Sequence, residues 1–363
     1  MKKNYKKILD KVNPYQPGKP IEEVKREYNL KNVIKLASNE NPLPPSPKVL
    51  EAIAESAKNV ARYPDGSCFQ LKECLSRKLE VSNNSIVFGN GSDEIIILAL
   101  RAFINPGDEV IISSPTFSVY KIAATIENAV IKEIPARNYK YDLEAMYKAI
   151  TKNTKIIFIA NPDNPTGTYV PDNDLRAFVE KVPKDIFVFI DEAYYEFARG
   201  GDYPETLDMI KRQDRNVIIA RTFSKAYGLA GLRVGYSVAR EDIAMLLNKV
   251  REPFNVNSIA QAAAIAALED KEHLQASVNL VLSEKEKFYQ KFKSLGLEYI
   301  PTRANFIAVN TKRDSKQIFN FLLTKGIIVR EMSAWGLDGF IRVNIGLPEE
   351  NEMFFKVFAE AIK

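Results

Sequence analysis

The chain has 363 residues, of which 46% are hydrophobic and 27% are charged, a composition typical of a globular protein with about two domains. Its net charge of +5 comes from 51 basic and 46 acidic residues dispersed along the chain, so we expect no nucleic-acid or membrane surface. The basic N-terminus has no apolar run after it, and no apolar run approaches the ~18 residues of a membrane span. The two cysteines, Cys68 and Cys74, indicate a reducing compartment, and we expect a cytoplasmic location.

The chain contains a single histidine, His273, in a charged stretch that is predicted to be helical. A Ser-His-Asp or Cys-His hydrolase needs a histidine beside its nucleophile, and most zinc sites need several His or Cys ligands. We therefore expect neither such a hydrolase nor a metal site. If the protein is an enzyme, its proton transfers must use lysine, carboxylates, tyrosine or a cofactor.

Residues 1–47 contain seven prolines between Pro14 and Pro47, which predicts an extended N-terminal segment that lies over the body of the protein or over a neighbouring subunit. Residues 48–60 are predicted to be helical. The turn that follows them can present Tyr63 to a ligand or to another chain.

Short apolar strands alternate with helical patterns within residues 48–257, which predicts a large α/β domain with a mostly parallel sheet. The predicted strands are Ser85–Phe88, Glu109–Ser113, Val130–Pro135, Lys155–Ala160, Ile186–Ile190, Val217–Ala220 and Val234–Ala239. The predicted helices include Ser118–Ile126, Leu143–Thr151, Asp172–Lys181 and Asp242–Val250. Ligands of such sheets bind beyond the carboxyl ends of the strands, so polar residues just after the strands are the candidate site.

Residues 258–363 predict a linking helical region followed by a small α+β domain. The linking helices are predicted at Ile259–Leu268 and Leu274–Leu295. The strands of the small domain are predicted at Asn305–Val309, Ile327–Arg330 and Phe340–Asn344, and its helices at Ser315–Thr324 and Glu350–Ile362.

The segment GNGSDE, which begins at Gly89, follows the first strand of the large domain and precedes a helix predicted to begin at Ile95. Backbone N–H groups at a helix start behind a glycine-rich turn can bind a phosphate. The alternative is that Ser92 or Asp93 only caps the helix. Neither the dinucleotide glycine fingerprint nor a P-loop sequence is present.

Asn164 and Asp191 follow two other strands. Asn164 belongs to two closely spaced Asn-Pro steps that hold the backbone rigid, so its amide can face a ligand oxygen; alternatively, the segment is a turn that ends the strand. A buried carboxylate at Asp191 is costly without a cationic partner, such as a protonated ring nitrogen. Its alternative role is a helix N-cap.

The stretch Arg221–Tyr236, RTFSKAYGLAGLRVGY, places Lys225 among small and apolar residues just after a β-branched strand. Desolvation there disfavours the ammonium form and leaves an amine that can attack an aldehyde, unless the lysine only snorkels outward. Thr222, Ser224 and Arg233 can bind an anion beside it. With the phosphate cradle, the amide and the carboxylate, this set suits pyridoxal phosphate, which carries a phosphate, a phenolic oxygen, a ring nitrogen and an aldehyde.

The motifs GNGSDE, NPDNPTG, DEAYYEF and RTFSKAYGLAGLRVGY together resemble those of fold-type I pyridoxal-phosphate aminotransferases, and most closely those of the histidinol-phosphate aminotransferase family. The resemblance extends from LASNENP near Ser38 to GFIRVNIG, which ends at Gly346. It implies a large α/β/α domain and a smaller α+β domain. It also implies transamination between histidinol phosphate and 2-oxoglutarate in histidine biosynthesis, and an obligate homodimer with shared active sites.

The family pattern implies that Lys225 forms a Schiff base with the cofactor and shuttles the proton, that Asp191 pairs with the ring nitrogen, and that Tyr194 and Asn164 bind the phenolic oxygen. Phe117 would stack on the ring, where family members often have tyrosine, so one hydroxyl contact is lost. The residues expected at the cofactor phosphate are Ser92, Asp93, Thr222, Ser224, Arg233 and, from the other subunit, Tyr63.

The substrate site is expected to involve both ends of the chain. Arg342 matches an arginine that holds a substrate carboxylate, and Arg330 matches a second arginine that binds the substrate phosphate. Tyr15 resembles an N-terminal tyrosine that closes over this phosphate, and Asn41 is also expected to contact the substrate.

Other functions stay open at the level of sequence. An aromatic-amino-acid aminotransferase or a threonine-phosphate decarboxylase of the same fold would share most of these residues. A catalytically silent pyridoxal-phosphate-binding regulator is a third possibility, but the DNA-binding segment of such fusions is missing. A nicotinamide oxidoreductase is disfavoured because the glycine fingerprint is absent.

Overall fold

The computed structural model describes residues 4–212 and 214–363. Its strands are β1 (Ile34–Lys35), β2 (Ile86–Gly89), β3 (Glu109–Ser114), β4 (Val130–Pro135), β5 (Thr154–Ala160), β6 (Phe187–Asp191), β7 (Val217–Thr222), β8 (Gly235–Ala239), β9 (Tyr299–Ile300), β10 (Phe306–Asn310), β11 (Ile327–Ile328), β12 (Arg330–Glu331) and β13 (Phe340–Asn344). Its α-helices are α1 (Ile21–Tyr28), α2 (Pro47–Ala57), α3 (Phe69–Leu79), α4 (Ser92–Phe103), α5 (Ser118–Ile126), α6 (Leu143–Lys148), α7 (Asp172–Lys181), α8 (Tyr195–Ala198), α9 (Leu207–Lys211), α10 (Glu241–Lys249), α11 (Ser258–Glu269), α12 (Lys271–Ser294), α13 (Ser315–Thr324) and α14 (Pro348–Ala361). No helix within these ranges combines the length and the apolar character that a membrane span requires.

The central sheet of the large domain has the strand order β2-β8-β7-β6-β5-β3-β4. Its strands are parallel except β8, which runs antiparallel to both of its neighbours. The predicted mostly parallel α/β sheet is therefore confirmed. Asp191, the last residue of β6, pairs with Ala160 of β5 and with Ala220 of β7, so the carboxyl ends of three strands are level. This register brings the polar residues that follow these strands to one edge of the sheet.

The inner strands of the large sheet, such as β6 and β7, are covered on both faces, which explains why they are largely apolar. Along β6, Val188 and Ile190 pack into one hydrophobic core while Phe189 between them packs into the other. All three side chains are almost completely buried. Burial of such a side chain contributes about 1.5–3 kcal/mol, so both cores hold the sheet edge firmly in place.

The small domain contains a four-stranded antiparallel sheet with the order β12-β13-β10-β9. Arg330 of β12 is directly opposite Arg342 of β13. A separate parallel pair joins β1 to β11, with Ile34 opposite Ile327. The segment before the large domain is therefore attached to the small domain.

The prediction that residues 1–47 are extended throughout is wrong, because α1 begins immediately after Pro20. No proline occurs between Pro20 and Pro42, so the seven prolines lie on either side of the helix. The first turn of α1 carries Glu22 and Glu23, and the last turn carries Lys25 and Arg26. The charges at both ends therefore interact favourably with the helix dipole.

The helix predicted to begin at Ile95 begins three residues earlier, at Ser92. Gly91 before it has a φ of 81°, and Asp93 and Glu94 complement the positive end of the helix dipole. No side chain caps the helix, so the capping role considered for Ser92 or Asp93 is wrong. The first turn of α4 therefore presents backbone N–H groups at the sheet edge.

Candidate active site

A crevice of about 210 Å³ lies beyond the carboxyl ends of β5, β6 and β7, between the two domains. All the predicted site residues line it except Asn41 and Tyr63. Those that line it are Tyr15, Ser92, Asp93, Phe117, Asn164, Asp191, Tyr194, Thr222, Ser224, Lys225, Arg233, Arg330 and Arg342.

One end of the crevice is a cluster of hydrogen-bond donors beside the first turn of α4. A Cβ atom at Gly91 would lie 2.4 Å from Nη2 of Arg233, so only glycine lets the guanidinium approach the turn. Arg233 donates to Asp93 at 3.0 Å and to Ser224 Oγ at 3.4 Å, and Thr222 Oγ1 donates to Ser224 Oγ at 3.0 Å. Backbone N–H groups, hydroxyls and a guanidinium suit a phosphate. Because the Asp93 carboxylate would repel an anion and is paired with Arg233, its suitable donor is its backbone N–H.

The carboxylate of Asp191 is buried in the floor of the crevice, with 5% of the residue exposed. It accepts hydrogen bonds from Tyr120 Oη at 2.7 Å and from the backbone N–H of Ala193 at 3.2 Å. Burial raises its pKa to about 6, although the Tyr120 hydrogen bond opposes this shift. No cationic side chain of the described residues forms an ion pair with it, which fits a protonated ring nitrogen as its partner.

Two polar side chains near Asp191 each keep one donor for a ligand. Asn39 Nδ2 donates to Tyr194 Oη at 2.7 Å, so the Tyr194 proton can be donated elsewhere. Burial raises the pKa of Tyr194, which keeps this proton in place. Because Arg342 Nη1 donates to Asn164 Oδ1, the Asn164 Nδ2 group remains available to donate to a ligand. Together they can bind one phenolic oxygen.

Lys225 lies at the centre of the crevice. Its Nζ donates to the carbonyl of Ser38 at 3.3 Å and lies 5.8 Å from the centre of the Tyr194 ring. Burial lowers the pKa of this amine to about 8, and the positive charge of Arg342 lowers it further. A substantial fraction of the amine is therefore neutral near pH 7 to 8, as a nucleophile toward an aldehyde requires.

The aromatic wall of the crevice is formed by Phe117, whose ring meets Tyr120 edge to face at 5.6 Å and Tyr15 at 6.5 Å. Phe117 directly precedes α5 and lines the same crevice as Asp191. A flat aromatic cofactor over Asp191 would have this ring as a neighbour.

The small domain contributes two arginines to the crevice. Arg342 is 5% exposed, donates to the carbonyl of Ala37 at 3.0 Å and lies over the ring of Phe306 at 5.0 Å. Burial lowers the pKa of Arg342 to about 10, and Arg330 adds to the effect. Arg330 is more exposed and donates to the carbonyl of Gln16 at 2.8 Å.

Comparison with known proteins identifies the group to which the chain belongs. Residues 31–358 match the family model described as aminotransferase class I and II. The chain is a member of the class I and II aminotransferases. It is 49% identical over 351 residues to a histidinol-phosphate aminotransferase from Moorella thermoacetica, covering 97% of this chain and 91% of the relative. It is 44% identical over 358 residues to one from Geobacillus thermodenitrificans, covering 99% and 98%.

The solved structures agree with this assignment. A histidinol-phosphate aminotransferase from Sinorhizobium meliloti, in complex with pyridoxal-5'-phosphate, superposes with a TM-score of 0.91 at 28% identity, covering 99% of this chain and 98% of the other. This aminotransferase therefore has the fold of the fold-type I pyridoxal-phosphate enzymes, as its motifs predicted.

Asn41 does not line the crevice of the chain, and a contact between Asn41 and the substrate stays a prediction. Asn41 donates from Nδ2 to the carbonyl of Ala226 and to Ser277 Oγ, both at 2.8 Å, and its Oδ1 accepts from the Leu43 backbone. These contacts engage both ends of the Asn41 amide. Asn39, two residues earlier and with a left-handed φ of 54°, lines the crevice instead.

Tyr63 lies outside the crevice of its own chain. The residue is 83% exposed, and its ring stacks on Phe254 at 4.8 Å. A contact between Tyr63 and the cofactor of a second subunit stays a prediction.

Three residues in or beside the crevice were not predicted from the sequence: Asn39, Tyr120 and Trp335. The sequence did indicate that Tyr120 has a specific role, because a tyrosine inside an apolar helix needs a hydrogen-bond partner for its hydroxyl. Its position three residues after Phe117 gave no indication that this partner is Asp191. Asn39 and Trp335 depend on contacts between distant parts of the chain.

Proposed function

We propose that this aminotransferase transfers the amino group of L-histidinol phosphate to 2-oxoglutarate, giving imidazole acetol phosphate and glutamate as a step in histidine biosynthesis. The observation that carries the proposal is the pairing of Arg330 with Arg342 across two neighbouring strands, in the crevice that contains Lys225. Two adjacent guanidinium groups suit a phosphate dianion better than a single one does. The names of the relatives at 44% and 49% identity support the same substrate.

The residues of the crevice fit pyridoxal phosphate as the cofactor. Asp191 offers a buried carboxylate for the ring nitrogen, and Asn164 and Tyr194 offer donors for the phenolic oxygen. Lys225 offers the amine for the aldehyde. The phosphate would be bound by Ser92, the backbone of Asp93, Thr222, Ser224 and Arg233. When bound, the cofactor supplies an electron sink for the pair released at the substrate Cα.

Lys225 is the general base and acid of the proposed reaction. Once its Nζ is free, it takes the proton from the substrate Cα, because the lowered pKa provides the neutral amine near physiological pH. Asp191 keeps a positive charge on the group that it faces, and the Tyr120 hydroxyl fixes the orientation of the carboxylate. No histidine takes part, in agreement with the fact that His273 does not line the crevice.

Recognition of both substrates is assigned to the small domain and the N-terminal segment. Arg330 and Tyr15 are proposed to bind the phosphate of histidinol phosphate, and Arg342 the carboxylate of glutamate. Because Arg330 and Arg342 are adjacent, the same pair can accept the two carboxylates of glutamate in the second half-reaction.

We also propose a homodimer in the cytoplasm, with Tyr63 of each chain reaching the cofactor phosphate of the other. Large apolar side chains are exposed at and beside Tyr63, as they are at interfaces between chains. Phe254 stacks on the Tyr63 ring, and Val60 and Phe69 lie close to Tyr63 in the sequence. Sedimentation should give twice the 41.0 kDa of one chain. The free thiols of Cys68 and Cys74 fit a reducing compartment.

The amino-donor profile of the purified protein tests the proposed substrate. With 2-oxoglutarate as acceptor, histidinol phosphate should have a higher kcat/KM than phenylalanine. Faster turnover of phenylalanine would favour an aromatic-amino-acid aminotransferase instead. Release of carbon dioxide from threonine phosphate would identify a decarboxylase, and no turnover of any donor with bound cofactor would indicate a regulator.

A further inference from the structure

The only tryptophan of the chain, Trp335, lies in the short turn Ser333–Trp335 between the two strands that carry the paired arginines. The guanidinium carbon of Arg330 is 5.2 Å from the centre of its ring, and that of Arg342 is 5.8 Å away. One aromatic ring therefore contacts both cations. Nothing in the reaction itself requires this side chain.

The two arginines are in an unfavourable arrangement without a ligand. They are directly opposite each other on neighbouring antiparallel strands, where like charges repel. Among the described residues, neither guanidinium has an ion pair with a carboxylate; their hydrogen bonds go to the carbonyls of Gln16 and Ala37 and to Asn164. The negative face of an aromatic ring attracts cations, so the Trp335 ring offsets part of this repulsion.

Trp335 is itself held from the large domain. Its Nε1 donates to the carbonyl of Thr116 at 3.2 Å, and Thr116 Oγ1 donates to the buried carboxylate of Asp163 at 2.7 Å. The next residue, Phe117, lines the crevice. The indole therefore fixes the arginine pair relative to the aromatic wall of the crevice.

We propose that Trp335 is a positioning residue that holds the guanidinium groups of Arg330 and Arg342 side by side before a dianion binds, and thereby sets the affinity for the phosphate-bearing substrate. The identity of that substrate rests on the proposed function. The role of Trp335 does not depend on that identity, because the arrangement of ring and guanidinium groups should favour any small phosphate that reaches the pair.

Inorganic phosphate is the probe that tests the role of Trp335 independently of the identity of the substrate. Its binding to the cofactor-loaded enzyme is measured by calorimetry, and its Ki is measured as a competitor of histidinol phosphate. Trp335→Leu removes the ring, whereas Trp335→Phe keeps a ring and loses the N–H. Phe340→Leu is the matched control, since it removes a ring from the same hydrophobic cluster.

We expect Trp335→Leu to raise the phosphate Kd and the KM for histidinol phosphate about tenfold, with kcat changed less than about threefold. Trp335→Phe should restore most of the affinity, to within about threefold of the parent, and Phe340→Leu should leave it within about twofold. In the parent enzyme, phosphate should change the fluorescence of Trp335, since no other tryptophan contributes.

The inference is overturned if Trp335→Leu binds phosphate as the parent does, or if Phe340→Leu weakens binding equally. It is also overturned if Trp335→Leu lowers only kcat and the unfolding temperature, because that is a general structural effect. If the parent does not turn over histidinol phosphate, the proposed function fails, and the phosphate Kd values still decide the role of Trp335.

Discussion

Arg342 donates a hydrogen bond from Nη1 to Oδ1 of Asn164 at 2.5 Å, across the boundary between the small and the large domain. The residue expected to bind the substrate carboxylate therefore also orients the amide expected to bind the cofactor. Substrate recognition and cofactor orientation meet in this one contact, because the amide has a free Nδ2 only while its Oδ1 faces the arginine.

This contact predicts coupling between Arg342 and Asn164. Arg342→Lys should lower kcat/KM for histidinol phosphate about 100-fold, since lysine cannot face the substrate phosphate beside Arg330 and still donate to both the Asn164 oxygen and the Ala37 carbonyl. A double-mutant cycle with Asn164→Ala should give a coupling energy of about 1–3 kcal/mol. Strictly additive effects on kcat/KM would show that the two residues act independently.

Lys225→Ala should abolish transamination and the near-visible absorbance of bound pyridoxal phosphate, because the variant has no amine in the crevice. Lys285→Met is the matched control. Lys285 is 5% exposed, burial lowers its pKa to about 8, and its Nζ donates to the carbonyl of Thr302 at 3.2 Å, away from the crevice lining. The control should keep the absorbance band. If Lys225→Ala keeps both activity and absorbance, the assignment of Lys225 is wrong.

The lowered pKa of Lys225 predicts how the cofactor-free protein takes up pyridoxal phosphate as pH changes. Only the neutral amine attacks the aldehyde, so the rate should rise with pH through a midpoint near 8 and level off at higher pH. Stopped-flow absorbance at pH 6 to 10 measures this profile. A midpoint near the ordinary lysine value of 10.5 would mean that burial does not lower the pKa of this amine.

Asp191→Asn should stabilise the cofactor-free protein above pH 6 and weaken its binding of pyridoxal phosphate. The folded-state pKa of Asp191, about 6, exceeds its ordinary value of 3.8, so its contribution to stability is present below pH 3.8 and lost as pH rises through 6. The variant avoids this loss, worth up to about 3 kcal/mol. Urea unfolding at pH 4 to 8 tests the prediction, and a stability difference that does not change with pH would contradict it.

Arg330→Gln should raise the KM for histidinol phosphate at least about tenfold and that for glutamate much less, because a phosphate dianion depends more on a second guanidinium group than a singly charged carboxylate does. Arg303→Gln is a suitable control: Arg303 pairs with Asp202 at 3.3 Å and lies over the Tyr169 ring, outside the crevice. Equal increases for both substrates would mean that Arg330 has a structural role.

The sequence was sufficient to predict the sheet and most of the crevice because both depend on local patterns. Asp191 and Lys225 each follow an apolar strand, and the ends of parallel strands necessarily meet at one edge. The place of Asn39 in the crevice lining could not be predicted, since it depends on the left-handed φ of Asn39 and on its contact with Tyr194, which is far away in the sequence. Trp335 was missed for the same reason, because its two cationic neighbours and its hydrogen-bond acceptor come together only in the folded chain.

The parallel pair of β1 and β11 has a consequence for the order of events during synthesis. Ile34 and Lys35 emerge early from the ribosome, but their partners, Ile327 and Ile328, are among the last residues made. At about 5–20 residues per second, the first segment waits on the order of tens of seconds for its partner strand. Tyr15 lines the crevice beside Arg330, which donates to the carbonyl of Gln16 and is also made late. A nascent chain can therefore complete its large sheet well before it has a site for its substrate.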